Sequence, residues 1–137
     1  MKVSYTNQLP DKEQYFQLFS CTGWNNEYQL SQEELFASIQ SSWYMISVFA
    51  AEKLVGFGRI ICDGILHALI VDVIVLPEYR QLGIGKNIIQ KLVEHCQSMN
   101  IRDIQLFCAR GQSGFYKKSG FAERPAEAPG MEFKKVV

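Results

Sequence analysis

Apolar residues recur along this chain with two periods, and the change from one to the other marks its centre. From Ile84 to Met99 they fall at Ile84, Ile88, Ile89, Leu92, Val93 and Cys96, one stripe at helical spacing. Immediately upstream, Leu66 to Val75 reads as a strand. Trp43 to Ala50 and Leu54 to Cys62 read as two further strands, joined by a turn at Ala51-Glu52-Lys53, and Asp63-Gly64 turns the chain into the third. These three predict an antiparallel meander. Arg102 to Cys108 is a short strand beyond the long helix, and a strand, helix and strand in series predict a right-handed parallel crossover.

The ends are less regular. Val3 to Leu9 reads as a first strand, and Pro10-Asp11 opens a helix with Tyr15, Phe16, Leu18 and Phe19 on one face. Cys21 to Leu30 is a polar-aromatic loop. Ser31 and Glu34 form a capping-box pattern ahead of Leu35, Phe36 and Ile39. Near the C-terminus, Ser113 to Lys118 is a short helix stopped by Gly120, followed by a loop from Arg124-Pro125 to Pro129-Gly130 and a final strand from Met131 to Val136. No repeat or linker divides the chain, so residues 1–137 read as a single domain of the α/β class.

Composition narrows the function. Fourteen basic and fourteen acidic residues cancel, and no basic patch stands out, which argues against a nucleic-acid partner. No run of eighteen apolar residues exists, and the N-terminus lacks the apolar core of a signal peptide, so no membrane is expected and a cytoplasmic location is the default. Cys21, Cys62, Cys96 and Cys108 are scattered without a Cys-x-x-Cys pair, and only His67 and His95 could join them. No metal is expected, and the thiols read as free and mostly buried.

The chemistry concentrates where strand meets helix, at Leu76-Pro77-Glu78-Tyr79-Arg80-Gln81-Leu82-Gly83-Ile84-Gly85-Lys86. Two glycines there let backbone approach a ligand closely. The helix that follows begins with free N–H groups and a positive dipole end, a seat for phosphate flanked by Arg80 and Lys86. A second Gly-x-Gly, Gly56-Phe57-Gly58, lies inside a strand with no helix after it and reads instead as a bulge or close strand packing. The pattern is neither a P-loop, which needs Gly-Lys-Ser/Thr, nor a dinucleotide fingerprint, whose third glycine is replaced by Ile88. A diphosphate-bearing cofactor is the simplest reading; a glycine-eased turn without ligand is the plain alternative.

Arg80-x-x-Gly83-x-Gly85 resembles the acetyl-CoA loop of the GCN5-related N-acetyltransferase (GNAT) superfamily, and Val73-Ile74-Val75-Leu76-Pro77 resembles the strand before it. Phe115-Tyr116-Lys117-Lys118-Ser119-Gly120-Phe121 resembles the later signature of that family, and Leu54 to Arg59 its third strand. The likeness is firm from Trp43 to Phe121. The stretch Leu106 to Phe121 also resembles small bacterial acetyltransferases and plastid relatives that acetylate aralkylamines or lysines. The resemblance implies a mixed, mostly antiparallel twisted sheet with helices on both faces and a splayed parallel strand pair. It implies acetyl-CoA as cosubstrate, its pantetheine arm along Val73, Ile74 and Val75, its pyrophosphate on Arg80, Gln81, Leu82, Gly83, Ile84, Gly85 and Lys86, and Phe115 beside the cofactor. It leaves a homodimer open.

The implied reaction needs a neutral amine. An alkylammonium of pKa near 10.4 is neutral in only about one part in two thousand at pH 7, a deficit of roughly 4.6 kcal/mol. A base or a desolvating site offsets it. Tyr116 holds the family position of the acid that protonates the leaving thiolate; otherwise its ring packs against the cofactor. Asp72 is the candidate base, with a structural ion pair as the alternative. Glu27 and Glu34 are weaker candidates, Gln105 stands where some members carry a glutamate, and a water chain could serve. Period-two alternation puts Asp72 opposite Val71 and Val73. Trp24 and Tyr28 would line a pocket for the acceptor, a small amine or a protein lysine, unless they fill core. The asparagine that family members often carry after the fifth strand is absent from Cys108-Ala109-Arg110-Gly111-Gln112-Ser113. The alternative function is a CoA-binding regulatory or interaction module without turnover.

Overall fold

A computed structural model describes residues 2–134, which divide into two compact units, one up to Leu106 and one from Phe107. In the first unit the elements follow in the order β1 (Ser4–Thr6), α1 (Lys12–Ser20), α2 (Asn25–Tyr28), α3 (Gln32–Gln40), β2 (Tyr44–Ala50), β3 (Lys53–Cys62), β4 (His67–Val75), α4 (Ile84–Ser98) and β5 (Asp103–Leu106). The five strands form one sheet in sequence order, antiparallel throughout except for the parallel pair β4 and β5. The mixed, mostly antiparallel sheet expected from the sequence is therefore present.

Local chemistry sets the helix starts. The Asp11 carboxylate accepts from the Gln14 backbone N–H at 3.2 Å and caps α1. At α3 the capping box closes in both directions: Glu34 N–H donates to Ser31 Oγ at 3.1 Å, and Ser31 N–H to Glu34 Oε1 at 2.9 Å. Those bonds favour the ionised carboxylate, backbone N–H first, and hold Glu34 below the usual carboxylate range. The β3–β4 turn is closed by Asp63, whose Oδ1 accepts from the N–H groups of Ile65, Leu66 and His67.

The sheet of this unit buries both faces. On one, Tyr15, Leu18 and Phe19 of α1 and Leu35 and Ile39 of α3 pack with Leu54, Phe57 and Ile74. On the other lies the apolar stripe of α4, with Ile84, Ile88, Ile89, Leu92 and Cys96 buried. That approach is close. A Cβ on Gly58 would stand 2.6 Å from Ile88 Cγ2 and 3.1 Å from Leu92 Cδ1, and one on Gly56 would stand 3.2 Å from Ile84 Cγ2. The Gly56-Phe57-Gly58 pair is thus a packing device, as its strand context indicated.

Several boundaries differ from the pattern. The expected loop Cys21 to Leu30 contains the single turn α2, because the Asn25 side chain both donates to Leu30 C=O at 3.0 Å and accepts from Leu30 N–H at 2.8 Å. Lys53 lies in β3 rather than in the turn, β1 is three residues, and β5 is four. Residues 131–134 are outside any strand, with Met131 and Phe133 almost wholly exposed, since alternation alone supplies no partner to pair with; positions 135–136 of the expected strand lie outside the described residues.

The second unit carries one helix, α5 (Ser113–Lys117). Tyr116 meets Phe115 and Phe121 edge-on, at ring separations of 5.0 and 6.2 Å. Gly120 ends the segment at φ +95°, its N–H donating to Lys117 C=O, as a C-terminal glycine stop should.

The α4 contact makes a test. Gly58→Ala should lower unfolding stability by about 1–3 kcal/mol, since the branched Ile88 has no spare rotamer in a helix. Gly114→Ala, where a Cβ meets nothing within 4 Å, should not lower it. Urea unfolding measures both.

Candidate functional site

The site in the first unit begins where β4 outruns its neighbour. β4 pairs with β5 only from His67 opposite Asp103 to Ile70 opposite Leu106, where β5 ends. Val71, Ile74 and Val75 keep partners on β3, Asp72 and Val73 fall in a register shift, and among the described residues of this unit no strand pairs with 71–75 on the β5 side. Leu76 N–H donates to Val55 C=O at 2.9 Å, so the Val75 carbonyl points the other way, into the open side, and accepts from Arg80 Nε at 3.1 Å. Two-residue alternation turns the backbone groups of Val73 the same way. A ligand carrying amides could extend the sheet there, as an added strand does.

Asp72 interrupts that edge. Between Phe57 opposite Ile74 and Arg59 opposite Val71, β3 advances two residues and β4 three. The extra residue makes a β-bulge, and Asp72 has φ +56°, rare for a non-glycine residue. Strict alternation, which set Asp72 opposite both valines, therefore fails. Val71 shares the face of its cross-strand partner Arg59, and Asp72 reaches the same Arg59: its Oδ2 accepts from Arg59 Nε at 2.7 Å. Arg59 Nη1 donates to Ser38 C=O at 3.1 Å and Ser42 Oγ at 3.4 Å, at the end of α3. Asp72 thus makes the ion pair that stood as its alternative role.

The loop after β4 is a single 3₁₀ turn, Pro77–Tyr79, then Arg80 extended, Gln81 at φ +63° and Gly83 at φ +83°. Gly83 is the N-cap of α4 and no side chain caps the helix; the first intrahelical bond is Asn87 N–H to Gly83 C=O at 3.0 Å. The N–H groups of Ile84, Gly85 and Lys86 therefore have no intrahelical acceptor, and the dipole end is bare. A Cβ on Gly83 would meet nothing within 4 Å, so its dihedral, not crowding, demands glycine. Arg80 does more than flank the seat with charge: its guanidinium is anchored on Val75 C=O. It also lies beside Cys21, whose thiol burial pushes up while Arg80 opposes the shift.

The expected acceptor residues are accessible. Trp24 is 37% exposed, edge-on to Phe19 at 5.7 Å, and Tyr28 on α2 is 63% exposed, so neither fills core. Glu34 is occupied by its capping box. His67 pairs with Asp103 at 2.7 Å, and His95 stacks on Tyr44 at 3.6 Å and 6°. In the second unit, Phe115 and Tyr116 share α5, and burial first, Cys108 second, raises the Tyr116 phenol above its ordinary value. Cys108 is exposed, Cys21 and Cys62 half-buried and only Cys96 buried, so the four thiols are free but not mostly buried. Short β5 leaves Cys108 outside the sheet. Arg59 escaped the sequence reading. Its signal was available: it is the one charged residue between Leu54 and Cys62, as Asp72 is among Leu69 to Leu76.

Residues 44–123 match the family model for the acetyltransferase (GNAT) domain. An uncharacterized N-acetyltransferase of Pyropia yezoensis is 33% identical over 119 residues, which are 84% of this chain and 67% of that protein. A chloroplastic serotonin N-acetyltransferase of Oryza sativa subsp. japonica is 33% identical over 84 residues, 61% of this chain and 42% of that protein. The chain thus spans two thirds of one curated relative and less than half of the other. A crystal structure of the PaiA N-acetyltransferase from Thermoplasma acidophilum, solved with coenzyme A, is similar in fold, with a TM-score of 0.72, 21% identity and coverage of 90% of this chain and 92% of that one.

The loop generates a direct test. Gly83→Asp and Gly85→Asp place a like charge at the proposed phosphate seat and should each abolish the rise in melting temperature given by coenzyme A. Undiminished stabilisation of both variants would remove the loop as the seat.

Proposed function

We propose that this chain, which belongs to the GNAT acetyltransferase family, transfers the acetyl group of acetyl-CoA to a primary amine in a direct ternary complex. One observation carries the reading: the open edge of β4 runs straight into the uncapped N-terminus of α4. That order suits a linear cofactor with amides in its arm and a pyrophosphate beyond them. Val73 and Val75 would pair with the arm. The N–H groups of Gly83 to Lys86 would hold the pyrophosphate, with Lys86 adding charge and Arg80 bracing the edge. The coenzyme A complex of the structural relative supports the same reading.

In the proposed step the amine nitrogen attacks the thioester carbonyl, a C–N bond forms, the C–S bond breaks, and the thiolate takes a proton from Tyr116. This assignment rests on the family motif and on a phenol kept protonated by its surroundings. Asp72 is engaged by Arg59, so deprotonation of the amine is assigned to solvent, not to that carboxylate. The exposed rings of Trp24 and Tyr28 favour an aralkylamine acceptor, in keeping with the serotonin relative, over a lysine side chain. A cytoplasmic setting belongs to the same proposal. Thiol release from acetyl-CoA across a panel of arylethylamines and lysine peptides tests it; coenzyme A binding without release for any amine would leave only the binding module.

Two variants test the parts. Trp24→Ala or Tyr28→Ala should raise the amine KM and leave the acetyl-CoA KM nearly unchanged; equal damage to both, with a lowered Tm, would make them framework. Tyr116→Phe should lower kcat by about 10- to 1000-fold with coenzyme A affinity little changed. Because the phenol is raised in the folded chain, it stays a competent acid below pH ~10 and is lost only as pH rises through that higher value. An alkaline limb of kcat should therefore lie above pH ~10 and vanish in Tyr116→Phe.

A further inference from the structure

The open edge works only in one register. Because side chains and backbone groups alternate with period two, a slip of β4 by one residue would turn the groups of Val73 and Val75 toward β3 and those of Ile74 outward. The present register depends on the extra residue, Asp72, staying in the left-handed region, which a non-glycine side chain in mid-strand disfavours. Something must favour the bulged form, and the polar contact of Asp72 supplies it. The Asp72 carboxylate meets Arg59 Nε at 2.7 Å, with 11% of the Arg59 and 21% of the Asp72 side chain exposed. Straightening β4 would carry that carboxylate away and leave a nearly buried guanidinium without its counter-ion. Arg59 cannot follow, because Nη1 is held by Ser38 C=O and Ser42 Oγ at the C-terminal end of α3. Tyr15 of α1 feels both charges, but its wholly buried hydroxyl makes no hydrogen bond to either of them here.

We propose that the Arg59–Asp72 ion pair is a register lock: it holds the bulge of β4 and so presents the backbone of Val73 and Val75 to the amide arm of the cofactor. Arg59 and Asp72 are positioning residues in this scheme. It rests on the reading that acetyl-CoA lies along β4.

Two double variants separate register from charge. Both remove the ion pair and leave no unpaired charge, but Arg59→Met/Asp72→Gly keeps a residue at ease at positive φ, whereas Arg59→Met/Asp72→Val puts a β-branched residue there. The glycine pair should bind coenzyme A within about threefold of the parent, and the valine pair at least about tenfold more weakly. The acetyl-CoA KM should rise in step, and amide exchange at Val73 and Val75 in the free protein should slow in the valine pair as those N–H groups turn to β3. Equal coenzyme A affinity in the two variants, or equal loss in both, overturns the lock. Should the valine pair not fold, Arg59→Met/Asp72→Ala replaces it, with affinity expected between parent and total loss and below that of the glycine pair; equality again overturns the proposal. A parent that does not bind coenzyme A would refute the cofactor reading alone, since the exchange readout needs no ligand.

Discussion

The closeness with which α4 lies on β3 sets where the rest of the site falls. Glycines at 56 and 58 let Ile84, Ile88 and Leu92 approach the strand to a distance at which a Cβ would collide. The helix is thereby fixed along its length by packing, not by capping, and its N-terminus can stay bare. An uncapped helix end is a local cost, since no side chain satisfies its first N–H groups. The apolar stripe of α4 offsets it: the four buried side chains Ile84, Ile88, Ile89 and Leu92, at about 1.5–3 kcal/mol each, outweigh a missing cap worth about 1 kcal/mol. The stability of the helix is thus placed on one face and its binding capacity at one end.

The sheet follows the same logic of leaving groups unpaired where a ligand is to come. β5 is too short to cover β4, and the Arg80 guanidinium occupies one of the carbonyls this exposes. The chain carries no net charge, so attraction of an anionic cofactor depends on local donors and not on a long-range field. Such donors act at hydrogen-bond range and are less sensitive to salt than a surface potential.

Polar groups inside the first unit are few and mostly matched. Ser47 is fully buried and donates to Gln8 C=O at 2.9 Å, and Arg59 uses three acceptors. A buried ion pair contributes little net stability against apolar replacements but is costly to break on one side. That asymmetry suits a pair whose task is to choose between two registers of one strand rather than to hold the fold together. Tyr15, with its hydroxyl unpaired, is the exception among the described residues, and its ring is retained by packing on Phe57 at 4.9 Å.

The order of β1 to β5 with α1, α3, α4 and α5, the capping box at Ser31, the α4 stripe and the glycine loop that opens α4 were legible in the sequence, because each rests on residues close together along the chain. A helical stripe repeats within four residues, and a capping box closes within three. Even the difference between the two Gly-x-Gly pairs could be read from their neighbours. The bulge at Asp72, its bond to Arg59 thirteen positions away, the open side of Val73 and Val75 and the exposure of Trp24 could not. The first two depend on how β3 and β4 register, and the last two on what stops short of covering them. Periodicity states which residues prefer to be buried, whereas register and coverage are relations between segments, fixed only when the sheet forms.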